Sequence, residues 1–294
     1  MKEDTRPNFF IVGAPKCGTT AWVEYLGTHP DIFFSADKEP HHFNTDLPGF
    51  RWFRDRDEYE ALFSSAGGHR VRAEASVNYL FSREAAGNIA AYAPDARILI
   101  LLRPQEAFLR SYHNQMLLNR DETRTDFDRL WSECLAGRPR TPPRQCREPA
   151  MLDYAAVGRF DEQVARYRDA FPEDRVLVMH FDEWVRDARA AYLRILSFLE
   201  LPDDGRTEFP RVHPAKRHRS QRIGDLTQRP PRWAQRLSRT ARSVGVDFAR
   251  PLLRKLREGN TVEAPPPPLS PETVESIRRY YAGESAQRRG ERVR

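Results

Sequence analysis

The stretch FFIVGAPKCGTTAWVEYLGTHP, residues 9–30, decides how the chain is read. Phe9-Phe10-Ile11-Val12 is an apolar run of strand length, closed by a glycine, and reads as a buried strand. Gly13 through Thr20 turns through two glycines and a proline. Beyond the turn, Trp22, Tyr25 and Leu26 fall on one side of a helix. A strand, a glycine-punctuated loop and a helix start aim unpaired N–H groups and the positive end of a helix dipole at one point. That is a cradle for a phosphate-like anion.

The spacing within the loop narrows the anion. A nucleoside-triphosphate loop reads G-x-x-x-x-G-K-[ST], with the lysine on the β/γ-phosphates and the hydroxyl on magnesium. Gly13 and Gly18 keep that spacing, but Thr19 stands where the lysine belongs, and the loop's lysine is Lys16, ahead of the second glycine. A cation on the loop crest suits a shorter anion held without a metal bridge. The plainer alternative is a tight turn after a core strand.

Two further segments carry chemistry. Lys38-Glu39-Pro40-His41-His42-Phe43 contains a Glu-Pro step, which is awkward inside a helix and places Glu39 on a loop with a restricted backbone. A carboxylate there can take a proton from an attacking hydroxyl, and His41 is the alternative base because imidazole also titrates in the useful range. Arg97-Ile98-Leu99-Ile100-Leu101-Leu102-Arg103-Pro104 reads as a strand buried on both faces of a parallel sheet. Pro104 is placed to be the first residue of the next helix. Arg103 then stands at the strand's carboxyl end, where open α/β sheets bind ligands. Along the following helix Pro104, Ala107, Phe108, Ser111 and Gln115 share a face, and a serine on that stripe calls for a partner.

Pro-Lys-Cys-Gly-Thr-Thr at 15–20 resembles the 5′-phosphosulfate loop of sulfotransferases that use 3′-phosphoadenosine 5′-phosphosulfate (PAPS). The flanking GTTAWVEYLGTHPDI, followed by KEPHHF, is most similar to the heparan sulfate N- and 3-O-sulfotransferases and their bacterial relatives, over roughly residues 8–225. The resemblance implies that Pro15, Lys16, Cys17, Gly18, Thr19 and Thr20 hold the 5′-phosphosulfate. It assigns Glu39 as general base, in the position of the family's E-P-H-F-F glutamate, with His42 standing where the family shows phenylalanine. Arg103 and Ser111 match the arginine and serine that hold the 3′-phosphate, a role that suits a guanidinium fork and a hydroxyl. Lys16 would neutralise charge growing on the bridging oxygen. Glu74, in Val71–Ser76, resembles the family's E-K-[ST]-P-x-Y segment, with Ala75 in place of the lysine. Arg217, Arg219 and Ser220 resemble a late basic loop that caps the nucleotide, although a charge run is also the pattern of a solvated face.

The remaining periodicity implies an α/β fold: a P-loop-like central parallel sheet flanked by helices on both faces, in a single domain. Further elements are expected as a helix near Phe127–Leu135, one from Met151 to Phe171, a strand at Val176–Met179 and a helix at Ala188–Leu199. Residues 1–225 read as the sulfotransferase domain. Residues 226–294 read as a basic helical extension packed on it: a segment near Trp233–Val244, a Pro265–Pro268 spacer, a last helix near Pro271–Tyr281 and a frayed tail. Residues 120–150 read as an insertion whose proline- and arginine-rich half borders an acidic acceptor or is plain solvated surface.

Of 294 residues, 31% are charged and 39% hydrophobic, ordinary for a soluble chain. A net charge of +6 favours anionic partners, here PAPS and its product PAP, with an acceptor alcohol or amine, saccharides included. No nucleic-acid-binding signature accompanies it, no metal-ligand spacing appears, and no apolar run approaches the ~20 residues of a membrane span. Three cysteines, Cys17, Cys134 and Cys146, argue against a disulfide framework and for a reducing compartment. With a charged N-terminus that lacks an apolar core, the expected location is cytoplasmic. Cys17 sits where Lys16 and loop N–H groups would lower its pKa, yet it has no histidine partner in sequence and reads as a small filler. A P-loop kinase and a non-catalytic polyanion-binding protein are the competing classes. The kinase would need a lysine and hydroxyl after Gly18 and a magnesium-holding acid.

Overall fold

The computed structural model describes residues 5–35, 37–210, 216–218, 261–263 and 265–292. Its centre is one sheet of five parallel strands: β1 (Phe9–Ile11), β2 (Ile32–Phe34), β3 (Val71–Ala75), β4 (Arg97–Leu102) and β5 (Val176–His180), in the order β2-β3-β1-β4-β5. In β1 the successive residues Phe9, Phe10 and Ile11 are all fully buried, and in β4 so are Ile98 through Leu101. Since neighbouring side chains on a strand point to opposite faces, both faces of the sheet are covered. The sheet is the α/β architecture the periodicity implies.

Helices α1 (Thr19–Leu26), α2 (Arg56–Ala61), α3 (Ala85–Tyr92), α4 (Gln105–Asn119), α5 (Phe127–Leu135), α6 (Tyr154–Val157), α7 (Phe160–Ala170), α8 (Phe181–Arg186), α9 (Ala188–Phe198) and α10 (Pro271–Arg292) surround it. Short aspartates set several starts: the Asp126 carboxylate accepts the Arg129 N–H at 3.0 Å to cap α5, and Asp187 accepts from Ala190 at 2.8 Å to cap α9. The chain leaves β1 toward one edge of the sheet and leaves β4 toward the other. The loops after β1 and β4 therefore part, and the crevice between them is the switch point where open α/β sheets bind ligands.

The structure corrects three local expectations. Pro104 is the N-cap of α4, not its first helical residue. The helix expected over 151–171 is broken: a 3₁₀ turn at Pro149–Leu152 and α6 precede Gly158, and α7 starts at Phe160. The last helix runs from Pro271 to Arg292, well beyond Tyr281. The Pro265–Pro268 spacer is gripped by Arg110, whose Nε donates to the Pro267 carbonyl at 2.7 Å. Ile277 and Tyr281 of α10 are buried, and the Tyr281 hydroxyl donates to the Tyr154 and Ala155 carbonyls at 3.0 Å. The helical segment expected near Trp233–Val244 lies outside the described residues. Among the described residues no helix is long and apolar enough to cross a membrane.

Candidate functional site

A cavity of about 1000 Å³ opens at the carboxyl ends of the strands. Every strand delivers part of its wall: β1 the loop 12–18, β2 the segment with Glu39 and His41, β3 Val77 and Asn78, β4 Arg103, and β5 Phe181 and Trp184. Lys16, Arg103, Ser111 and Glu39, which lie far apart in the chain, all face this one space.

The loop after β1 is shaped by close approaches. Ala14 N–H bonds the Leu101 carbonyl at 3.1 Å, tying the loop to β4, and a Cβ added at Gly13 would sit 2.7 Å from the Leu101 Cβ. Gly18 is the N-cap of α1 with φ of 94°, and a Cβ there would fall 2.2 Å from the Trp184 ring. Both glycines are thus required by contact, and Gly18 also by its left-handed backbone. Lys16 itself has φ of 68°, an unfavourable conformation for a lysine that the surrounding contacts hold in place. Its ammonium donates to Gln115 Oε1 on α4 at 3.3 Å. Burial lowers the Lys16 pKa, and the charges of Arg103 and Lys38 push it the same way. Lys38 donates to the Thr20 hydroxyl and lies 3.8 Å from Glu39 Oε1. Cations that repel one another beside a cavity gain from an anion placed among them.

Cys17 is the small filler its sequence context suggested, and its side chain lines no part of the cavity. Its side chain is fully buried away from the cavity, its N–H bonds the Ala14 carbonyl at 3.3 Å, and burial pushes the thiol pKa up instead of down. It fills space beneath the loop as an inert thiol.

Glu39 and His41 take unusual backbone shapes. A residue before proline is normally extended, yet Glu39 has φ of 61° and His41 φ of 50°. A hydrogen-bond network enforces this shape. Glu39 N–H bonds the Ala75 carbonyl at 3.1 Å, and His41 N–H donates to Ser76 Oγ at 3.1 Å. The Tyr79 hydroxyl accepts from His42 N–H at 2.8 Å and from Phe43 N–H at 3.2 Å. Behind both hydroxyls stands Glu74, fully buried, which accepts from Ser76 at 2.5 Å, Tyr59 at 2.6 Å and Tyr79 at 3.3 Å. Glu74 is thus a positioning residue for the Glu39 loop, a role its place in the sequence only hinted at. His42, at the family's phenylalanine position, is accommodated by stacking on Tyr59 at 4.4 Å and by an Nδ1 bond of 2.8 Å to the Phe53 carbonyl. Burial lowers its pKa, which keeps the ring neutral.

The Glu39 carboxylate lies 3.6 Å from His41 Nε2. Burial raises the Glu39 pKa, but the His41 hydrogen bond and the charges of His41, Lys38 and Lys16 outweigh it, so the carboxyl is held below its ordinary value. The two candidate bases are thus one unit, with Glu39 the partially exposed member and His41 almost wholly buried beside it.

Arg103 stacks its guanidinium over the Phe181 ring at 4.5 Å and keeps a buried Nε without a hydrogen-bond partner among the described residues. Such an orphaned donor costs stability unless an acceptor meets it. Ser111, two turns along α4, faces the same space. Arg217 lies in a short antiparallel pair, β6 (Lys216–His218) with β7 (Thr261–Glu263), opposite Val262. Arg219 and Ser220 lie outside the described residues. Sequence reading missed Lys38 and Gln115 as partners of the loop, though both stand in segments it singled out. It had no signal for Trp184, whose ring closes the wall behind Gly18.

Fold and site together define a P-loop-like α/β protein with an anion cradle and a carboxylate beside it. The sulfotransferase domain family matches residues 6–213, more than half of the chain, and the chain belongs to that family. A sulfotransferase from Alicyclobacillus acidocaldarius, known by crystal structure, is 30% identical with a TM-score of 0.61, the match covering 85% of this chain and 99% of that one. Carbohydrate sulfotransferase 15 of Homo sapiens is 23% identical over 257 residues, covering 66% of this chain and 44% of the relative. Heparan sulfate glucosamine 3-O-sulfotransferase 3B1 of Homo sapiens is 24% identical over 200 residues, covering 66% and 46%. The match spans less than half the length of these curated relatives. The kinase and polyanion-binder alternatives find no support in these matches.

Proposed function

We propose that this sulfotransferase moves the sulfuryl group from PAPS to a hydroxyl or amine of an acceptor, with saccharides among the acceptors the reading allows. The observation that carries it is the convergence of Lys16 and Arg103 on one cavity, with the Glu39 carboxylate at its side and Lys38 3.8 Å from that carboxylate. The residues present fit the nucleotide: a glycine-bounded loop at a helix start, a cation whose pKa is depressed by burial and by its cationic neighbours, and a buried guanidinium nitrogen that lacks an acceptor among the described residues. When bound, PAPS supplies the activated sulfuryl group and adenosine 3′,5′-bisphosphate (PAP) as leaving group.

Loop 15–20 would hold the 5′ end, with Thr19 and Thr20 as hydroxyl donors, and Arg103 with Ser111 the 3′-phosphate. Glu39, held ionised at neutral pH, takes the proton from the acceptor as its oxygen or nitrogen attacks. Lys16 offsets the negative charge that develops on the leaving side, where a fixed cation lowers a barrier most. The Glu74–Ser76–Tyr79 network keeps the base loop in its left-handed shape while Glu39 takes the proton. Titration of the protein with PAP and with magnesium-ATP tests the reading: PAP should bind and raise Tm, and magnesium-ATP should do neither. A preference for magnesium-ATP would refute it.

A further inference from the structure

We infer that the acceptor is uncharged and carries a flat apolar face next to the accepting group, and that Trp52 is the surface on which that face rests. The inference builds on the sulfotransferase reading of the same cavity. Trp52 is 52% exposed, the largest of the strongly exposed apolar side chains among the described residues, and it lines the cavity. An indole left in water at the mouth of a concave site is a surface that a ligand ring covers with gain.

Its position is fixed relative to the base. Phe53 N–H bonds the Pro40 carbonyl at 3.2 Å, the Phe53 carbonyl accepts from His42 Nδ1 at 2.8 Å, and Arg51 Nε donates to the His42 carbonyl at 2.9 Å. Three hydrogen bonds thus clamp the segment around Trp52 to the residues that follow Glu39. Phe50 meets the indole edge-on with centroids 6.2 Å apart. A ring laid on Trp52 is therefore presented at a set distance from the carboxylate.

The arginine beside the aromatic pair is already matched. Among the arginines that line the cavity, Arg147 is the one stacked over Phe50, at 4.4 Å. Its Nε lies 3.2 and 3.1 Å from the two oxygens of buried Asp121, and its own N–H bonds Asp121 Oδ1 at 3.0 Å. Arg140, in the same insertion, is paired with buried Glu122. An anionic acceptor would meet a neutralised arginine and the negative charge of Glu39, whereas a neutral ring meets an aromatic surface.

The experiment offers the protein radiolabelled PAPS with three acceptors: an uncharged p-nitrophenyl glycoside, 2-naphthol, and N-desulfated heparin as polyanion. At least one uncharged ring should be sulfated with kcat/KM about tenfold or more above the polyanion, and the better of the two tells a sugar face from an aryl one. Trp52→Ala should raise KM for that acceptor about tenfold with kcat within twofold, and Trp52→Phe should restore most of the loss. PAP affinity and Tm should be unchanged in both variants, which separates the acceptor effect from misfolding. Preference for heparin, no transfer to either ring, or an unmoved KM in Trp52→Ala overturns the inference. Failure of the wild-type protein to bind PAP is the distinct result that would remove the sulfotransferase reading and this inference with it.

Discussion

The two ends of the cavity are built on opposite plans. At the end formed by the loop after β1 and by Arg103, charge is left unmatched among the described residues: the Lys16 pKa is depressed by burial and by its cationic neighbours, and Arg103 keeps an orphaned nitrogen. At the end formed by Phe50, Trp52 and Arg147, charge is matched within the protein, Asp121 taking the arginine. The first end stores electrostatic free energy that an anion releases, and the second offers area and shape. The difference teaches that one cavity can offer unmatched charge at one end and apolar area at the other, so that each end suits a different part of what it holds.

The sharpest way to break this comparison is at the junction of the two ends. Glu39→Gln should reduce turnover by about 10²–10⁴-fold while PAP affinity stays at the wild-type value. Because Glu39 is held below its ordinary carboxylate range, the acid limb of the wild-type kcat/KM profile should lie below that range too, with activity lost as pH falls through it. A variant that still turns over would move the base to His41, whose Nε2 faces the same carboxylate.

Lys16→Ala comes next, with kcat expected to fall about 10²–10³-fold and PAP affinity to change much less. Turnover within a few-fold of wild type would mean the loop cation plays no part in the chemistry. Arg103→Ala should act on binding instead: a loss of about 10–100-fold for PAP, and little for adenosine 5′-phosphosulfate, which lacks the 3′-phosphate. Equal losses for both nucleotides would take the 3′-phosphate away from Arg103.

The same division separates what the sequence made legible from what it hid. The donor end was readable because its geometry is local: Gly13, Lys16 and Gly18 fall in one loop, and Arg103 and Ser111 on one strand–helix step. Backbone constraints of that kind leave glycines and fixed spacings behind. The acceptor end is assembled from residues 50–52, 121 and 147, whose contacts have no period. The insertion at 120–150 looked basic and open to an acidic acceptor, yet Arg140 and Arg147 are consumed by Glu122 and Asp121, pairings across 18 and 26 residues that no local pattern records. Glu39 was found but its shape was not, because the pre-proline rule describes an isolated chain, and here Ala75, Ser76 and Tyr79 capture the backbone N–H groups of the loop.

The smallest effect on turnover, and the test of how the two ends are held together, lies in Glu74. Burial raises its carboxyl pKa to about 7, against three hydroxyl bonds that pull it down. A folded-state pKa above the unfolded value means that the native protein holds a proton the unfolded chain has already lost. The resulting stability is complete below the ordinary carboxylate pKa and is given up as pH rises through about 7. Wild-type Tm should therefore decline between pH 5 and pH 8, and Glu74→Gln should flatten that part of the curve. The variant should keep PAP affinity and lose only several-fold in kcat, since Ser76 and Tyr79 remain to hold the loop. A wild-type curve that matches the variant's across this window would show that Glu74 does not titrate there. A kcat as low as that of Glu39→Gln would show that the network does more than position the base.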